Sequence, residues 1–189
     1  MFARKSLIKL RVLIVEDDDA KFEIIQKKFD SLNEDRDDVE VSYARASDCF
    51  SAVELYDRNF YDVIILDLKI PLSCGSSSNA SVENSKEFYD HVLYGEKELP
   101  FLIVGLTSIE RVEYEKIFSS HPIFNIEEFV PASNAWFENI VTRIEFVSSA
   151  RRAVKKFHSN NFDTDVLILV ARENNEFNPI CEGVNWVDG

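Results

Sequence analysis

Five short apolar runs separated by segments of helical period limit the fold of this chain more than any other feature. Arg11–Glu16, Glu40–Ala44, Asp62–Leu66, Phe101–Leu106 and Ile126–Val130 are rich in Val, Ile, Leu or Phe, as strands buried on both faces of a parallel sheet are. After the first run, Phe22, Ile25, Phe29 and Leu32 recur at helical spacing, and Ser47 is placed to cap a helix carrying Phe50 and Val53. Ser85–Tyr94 and Ile109–Ser119 predict two more helices. Parallel strands need crossover connections of one hand, so the alternation predicts an α/β protein: a doubly wound five-stranded parallel sheet, covered on both faces. Its ligand crevice should lie beyond the carboxyl ends of the strands.

Length and charge then restrict what such a sheet can serve. With 189 residues there is room for one domain and an appendage. The 34 acids against 21 Lys and Arg, a net charge of −13, repel nucleic acid and anionic lipid alike. We therefore expect no direct nucleic-acid binding and no membrane association. Cys49, Cys74 and Cys181 are far apart and form no zinc-spaced cluster with the histidines. The apolar stretch Val12–Val15 is too short for a signal peptide or a membrane span, so a cytoplasmic location is expected.

The chemistry concentrates at three predicted strand ends. Val12-Leu13-Ile14-Val15 runs directly into Glu16, Asp17, Asp18 and Asp19. Four adjacent acids repel one another unless a cation or water relieves them. Val63-Ile64-Ile65-Leu66 ends in Asp67, which core packing does not explain, and Phe101–Leu106 ends in Thr107 and Ser108. Oxygen ligands of this kind suit a hard divalent cation such as Mg²⁺. Asp17 and Asp67 could hold it, with Glu16 acting through a water. Asp67 would be the nucleophile toward a phosphoryl group, and Thr107 would donate a hydrogen bond to a phosphoryl oxygen. The bland alternative for the acidic run is a solvated helix start, since acids favour helix N-termini; it leaves Asp67 and Thr107 unexplained. No glycine-rich phosphate loop is present, and His91, His121 and His158 sit in no motif.

Val-Leu-Ile-Val-Glu-Asp-Asp, Val-Ile-Ile-Leu-Asp-Leu-Lys-Ile-Pro and Leu-Thr-Ser, in this order, resemble the response-regulator receiver domain over about residues 9–147. The resemblance implies a flavodoxin-like sheet of order 2-1-3-4-5, with Asp67 as phosphoacceptor. It implies that Glu16, Asp17, Asp67 and the backbone carbonyl of Lys69 bind Mg²⁺, and that Thr107 is the switch hydroxyl. Pro71 and Gly75 fall where the family often has proline and glycine. A histidine kinase or phosphotransfer protein is the implied partner, and a regulatory phosphoacceptor, not an enzyme, the implied role. The surface between the Ile109–Ser119 helix and the fifth strand would change partner on phosphorylation.

One position departs from the family. Its fifth strand usually ends in Lys-Pro, whereas here Glu-Glu-Phe-Val-Pro places Val130 at the lysine. The loss removes a charge-assisted contact of roughly 1.5–3 kcal/mol. Lys69 is a substitute from the neighbouring loop or a solvated surface lysine, and Phe129 is the nearest candidate for the aromatic switch. A phosphorylation-independent dimerisation or docking module is therefore the alternative reading.

Beyond the fifth strand, Trp136, Ile140, Ile144, Val147 and Val154 keep close to heptad spacing in a helix expected from Asn134 to Phe157. Either it packs on its own sheet, or it leaves the domain and pairs with a copy of itself as a homodimer. Residues 148–164 read as helical extension and linker, and Asp165–Ala171 as a new strand. The segment Thr164–Ala171 with Glu176-Phe177 is similar to the opening strand and loop of the nucleoside phosphorylase and nucleosidase superfamily. This resemblance implies that 165–189 begins an effector domain, too short here to act on a nucleoside, whose full form the receiver would regulate. The polar run Ser73–Asn84 reads as a mobile loop beside the crevice, and its Asn79-Ala80-Ser81 sequon carries no weight without secretion.

Overall fold

The structure, a computed structural model, describes residues 7–74, 80–108, 114–118, 121–161, 170–173 and 176–179, with side chains as far as residue 149. The chain divides into two compact units, Met1–Ser148 and Ser149–Gly189.

In the first unit, β1 (Ile8–Val15), β2 (Val39–Ala46), β3 (Val63–Asp67), β4 (Leu102–Thr107) and β5 (Phe124–Glu128) form a parallel sheet of order β2-β1-β3-β4-β5. Its helices are α1 (Asp19–Asp35), α2 (Cys49–Arg58), α3 (Val82–Tyr94) and, as far as Ser148, α4 (Ala135–Asn161). Successive strand side chains point to opposite faces, and β1 shows the division directly. Ile8, Leu10, Val12 and Ile14 join one core with Ile25 and Phe29 of α1 and Trp136, Phe137 and Ile140 of α4. Leu13 and Val15 join the other, with Ala52 and Tyr56 of α2 and Phe88 and Tyr89 of α3. A strand flanked on both faces needs apolar residues at every position, which is why these runs do not alternate with polar ones.

Several boundaries differ from those expected. The fifth strand covers Phe124–Glu128, not Ile126–Val130. Its pairing with β4 ends at Thr107 opposite Glu128, and the Phe129 N–H closes the end by donating to the Thr107 carbonyl at 2.6 Å. Helix α2 is capped by Asp48, not Ser47: the Asp48 carboxylate accepts from the Ser51 N–H at 2.9 Å. The shift of one residue turns the helix, so that Cys49, Ala52 and Tyr56 are buried while Phe50 is left 57% exposed. We expect Asp48→Ala to lower the unfolding free energy by about 1 kcal/mol, measured by urea denaturation. An unchanged midpoint would mean that Ser47 takes over the cap.

Helix α4 runs on to Asn161, longer than expected. Of its heptad positions, Trp136, Ile140, Ile144 and Val147 are buried in the core of their own unit; the side chain of Val154 lies outside the described residues. The polar segment after β3 is anchored at its far end, where Ile70 bridges Ser81 and Ser81 caps α3 by accepting from the Asn84 N–H. Gly75 and the serines from Ser76 to Ser78 lie outside the described residues, as does most of the expected Ile109–Ser119 helix.

In the second unit, Val170–Glu173 (β6) and Glu176–Pro179 (β7) form an antiparallel hairpin. Most of the strand expected at Asp165–Ala171 lies outside the described residues, and with it the body of the nucleosidase-like segment. Among the described residues, no helix is long and apolar enough to cross a membrane.

Candidate phosphoacceptor site

Register builds the site. Val15 of β1 lies opposite Leu66 of β3, and Asp67 lies opposite Leu106 of β4. Glu16, one residue beyond β1, therefore arrives beside Asp67, and Thr107 follows one residue beyond Leu106 on the other side. One carboxylate oxygen from each of Glu16, Asp17 and Asp67 lies within 4.8 Å of the other two. Glu16 is 1% exposed, whereas Asp17 is open to solvent and Asp67 intermediate.

The backbone around these acids is fixed by partners of several kinds. Asp18 caps α1, its carboxylate accepting from the Lys21 N–H at 3.0 Å, and its own N–H donates to Glu16 Oε1 at 3.1 Å. Arg45 of β2 donates to the Glu16 carbonyl at 3.0 Å and to the Asp17 carbonyl at 3.2 Å, with its guanidinium 4.4 Å from the Phe22 ring centroid. On the β3 side, the buried Ser85 hydroxyl donates to the Asp67 carbonyl at 3.0 Å, and the Lys69 N–H donates to Asp67 Oδ1 at 3.2 Å. The next residue, Leu68, is fully buried against Gly105 of β4. A Cβ at position 105 would sit 2.7 Å from Leu68 Cδ2, so a larger residue there would force the Leu68 side chain to shift.

The charge that balances the cluster comes from an unexpected position. The Lys21 ammonium, in the first turn of α1, lies 2.7 Å from Glu16 Oε2 and 2.9 Å from Asp67 Oδ2. Its side chain is only 11% exposed, and the ammonium lies 5.3 Å from the Phe129 ring centroid. Apart from that ion pair, Glu16 Oε2 is a buried oxygen with no hydrogen-bond partner among the described residues. Burial, followed by the Asp67 charge, pushes the Glu16 carboxyl up to about 7 against the pull of Lys21. Asp17 is raised as well, by burial and by Asp67. Burial works against the Lys21 ammonium, but Asp67 and Glu16 outweigh it and raise its pKa.

The remaining expected site residues are dispersed around this cluster. Thr107 is buried at the end of β4. Phe129 is buried too, its ring 5.0 Å from that of Trp136. Val130 is 42% exposed, past the end of β5. The Lys69 side chain is exposed, and its one described contact with Asp67 is through the backbone.

Sequence reasoning missed Lys21, Arg45 and Ser85. A lysine in an acidic helix start reads as a solvated residue. Its available signal was position: side chains in a first helical turn lean back toward the helix N-terminus, here toward the end of β1.

Neither a protein family nor a curated protein matches the sequence. Many solved structures similar to the chain are receiver domains. One is the receiver domain of a Pseudomonas aeruginosa sensor histidine kinase with magnesium coordinated in its active-site cleft; it is 18% identical, covers 71% of this chain and 96% of its own, and has a TM-score of 0.48. A response regulator of Thermotoga maritima in complex with Mg²⁺ and BeF is 19% identical over 71% of this chain and 98% of its own, TM-score 0.48. The receiver domain of the Saccharomyces cerevisiae response regulator Ssk1, co-crystallised with the phosphotransfer protein Ypd1, is 22% identical over 65% of this chain and 81% of its own, TM-score 0.45. The strand order of the sheet stands on its own, apart from these likenesses. With five parallel strands in the order 2-1-3-4-5 and helices on both faces, the chain has the flavodoxin-like fold of response-regulator receiver domains.

Proposed function

We propose that the first unit is the phosphoacceptor of a two-component phosphorelay, receiving a phosphoryl group on Asp67 from a histidine kinase or a phosphotransfer protein. The observation that carries this reading is the convergence of Glu16, Asp17 and Asp67, three acids from two strand ends, on one small volume. Ordinary packing has no use for such a cluster, which costs free energy through burial and mutual repulsion.

The donor set fits a hard divalent cation. All three side chains offer carboxylate oxygens, and Glu16 Oε2 is buried with no partner but an ammonium. Glu16, Asp17, Asp67 and the Lys69 carbonyl would hold Mg²⁺. When bound, the ion neutralises charge on the group in transfer. The chain's own residues do the rest. A carboxylate oxygen of Asp67 attacks phosphorus, the bond to the donor's leaving group breaks with its electron pair, and an acyl phosphate remains. The Ser85 hydroxyl holds the Asp67 backbone during attack, and the Thr107 hydroxyl serves a phosphoryl oxygen. The consequence is a shift between two states that alters partner choice, with the segment beyond Ser148 as the route to an effector.

The test is direct. Incubation with Mg²⁺ and a small-molecule phosphodonor is expected to add the mass of one phosphoryl group to the intact chain, and to add none when the metal is chelated. The exposed Val130 at the lysine position favours a second reading, a docking module that never takes phosphate. A chain that gains no mass at millimolar donor favours that second reading.

A further inference from the structure

We propose that Lys21 is the phosphoryl-binding lysine of this chain, supplying from the start of α1 the cation that Val130 does not supply from the end of β5. The inference rests on the reading of Asp67 as phosphoacceptor and adds a ligand which that reading does not contain. Four observations support it. The Lys21 ammonium already pairs with Asp67 Oδ2 at 2.9 Å, the group that would carry the phosphate. It stands 5.3 Å from the Phe129 ring centroid, so it reaches the residue adjoining the vacated lysine position although it belongs to a different element. Its side chain is 11% exposed, which a solvated lysine would not be. Finally, it sits in a first helical turn, where a cation opposes the helix dipole; the carboxylates of Glu16 and Asp67 are what hold it there.

An ammonium carries three donors. It can therefore remain with a carboxylate while serving a phosphoryl oxygen. Lys69, the other lysine beside Asp67, is exposed, and only its backbone N–H is seen to bond the acid.

The same ammonium competes with a metal for Glu16 and Asp67, which gives the test two arms of opposite sign. Mg²⁺ binding is measured by calorimetry, and beryllofluoride binding by tryptophan fluorescence at saturating Mg²⁺, on the full chain. Lys21→Met keeps the alkyl stem and removes the charge. It is expected to weaken beryllofluoride binding by about tenfold or more, the factor a charge-assisted contact carries, while Mg²⁺ binds as well as before or more tightly. Adding Val130→Lys to that variant should restore beryllofluoride binding.

Parent-like beryllofluoride affinity in Lys21→Met overturns the inference and leaves Asp67 as acceptor. If both ligands are lost, Val130→Lys decides: restored binding supports the role, and its absence shows Lys21 to be structural. A parent chain that ignores beryllofluoride overturns the phosphoacceptor reading itself, and the role of Lys21 with it.

Discussion

Asp67→Asn is expected to gain no mass from a phosphodonor and to give no response to beryllofluoride, while unfolding within about 1 kcal/mol of the parent. The two halves of the result belong together. An amide has no anionic oxygen to attack phosphorus, so uptake is abolished and not merely slowed. The fold has little stake in the change. Asparagine keeps an oxygen able to accept from the Lys69 N–H, as Asp67 Oδ1 does at 3.2 Å. Lys21 keeps Glu16 as its counter-ion at 2.7 Å. The Ser85 hydroxyl bonds the backbone carbonyl of residue 67, which substitution does not touch. Mass spectrometry of the intact protein, alongside urea denaturation, reads both halves. Phosphoryl uptake at full stoichiometry by Asp67→Asn would place the acceptor elsewhere.

The second large effect is a dependence of stability on pH that runs against the usual behaviour of a carboxylate. Glu16 is raised from its ordinary 4.5 to about 7, first by burial and then by the Asp67 charge. Between those values the folded chain holds a proton that the unfolded chain has released. Unfolding free energy therefore falls as pH rises through this window, and the loss is complete above pH 7. Glu16→Gln removes the ionisation. The variant should match the parent at low pH and exceed it above pH 7 by on the order of 1–3 kcal/mol. Denaturant midpoints of both proteins across the window provide the measurement, and a difference that stays constant from pH 4.5 to 8 would sink the prediction. Mg²⁺ should offset the cost, because a metal favours the ionised carboxylate. Its stabilisation of the parent is accordingly expected to be greater at pH 8 than at pH 5.

The second prediction describes a site held at a cost to the rest of the fold. The cores on the two faces of the sheet, reaching from Phe29 and Ile140 on one side to Tyr56 and Phe88 on the other, supply the stability against which three clustered acids can be kept.

How much of this was legible in the residues depended on whether the signal was local. Buried parallel strands are written as continuous apolar runs and helices as a 3.6-residue period, so the alternation, the doubly wound sheet and the acids at its edge could all be read from neighbouring residues. Phe22, Ile25, Phe29 and Leu32 do mark the inner side of α1, with Ile25 and Phe29 fully buried. Single-residue phase was not legible. Asp48 and Ser47 are both good capping residues, and the choice fell to Asp48, whose carboxylate also accepts from Cys74 Sγ at 3.0 Å, a residue brought in from after β3. Pairing with β4 ended the fifth strand at Glu128, and no pattern within the strand itself announced that end.

The sequence by itself determined the five strands of the sheet, their alternation with helices, and the placing of Glu16, Asp17 and Asp67 at strand ends, because period and composition are properties of adjacent residues. Only the tertiary structure decided that Lys21 serves those acids, that Arg45 and Ser85 secure their backbone, and that Trp136 to Val147 spend their apolar face on their own sheet. Apart from the pairing of Lys21 with nearby Glu16, these contacts join residues distant in the chain, as Lys21 with Asp67, Arg45 with Glu16 and Ser85 with Asp67, and strand register and helix packing, not local pattern, bring such residues within reach.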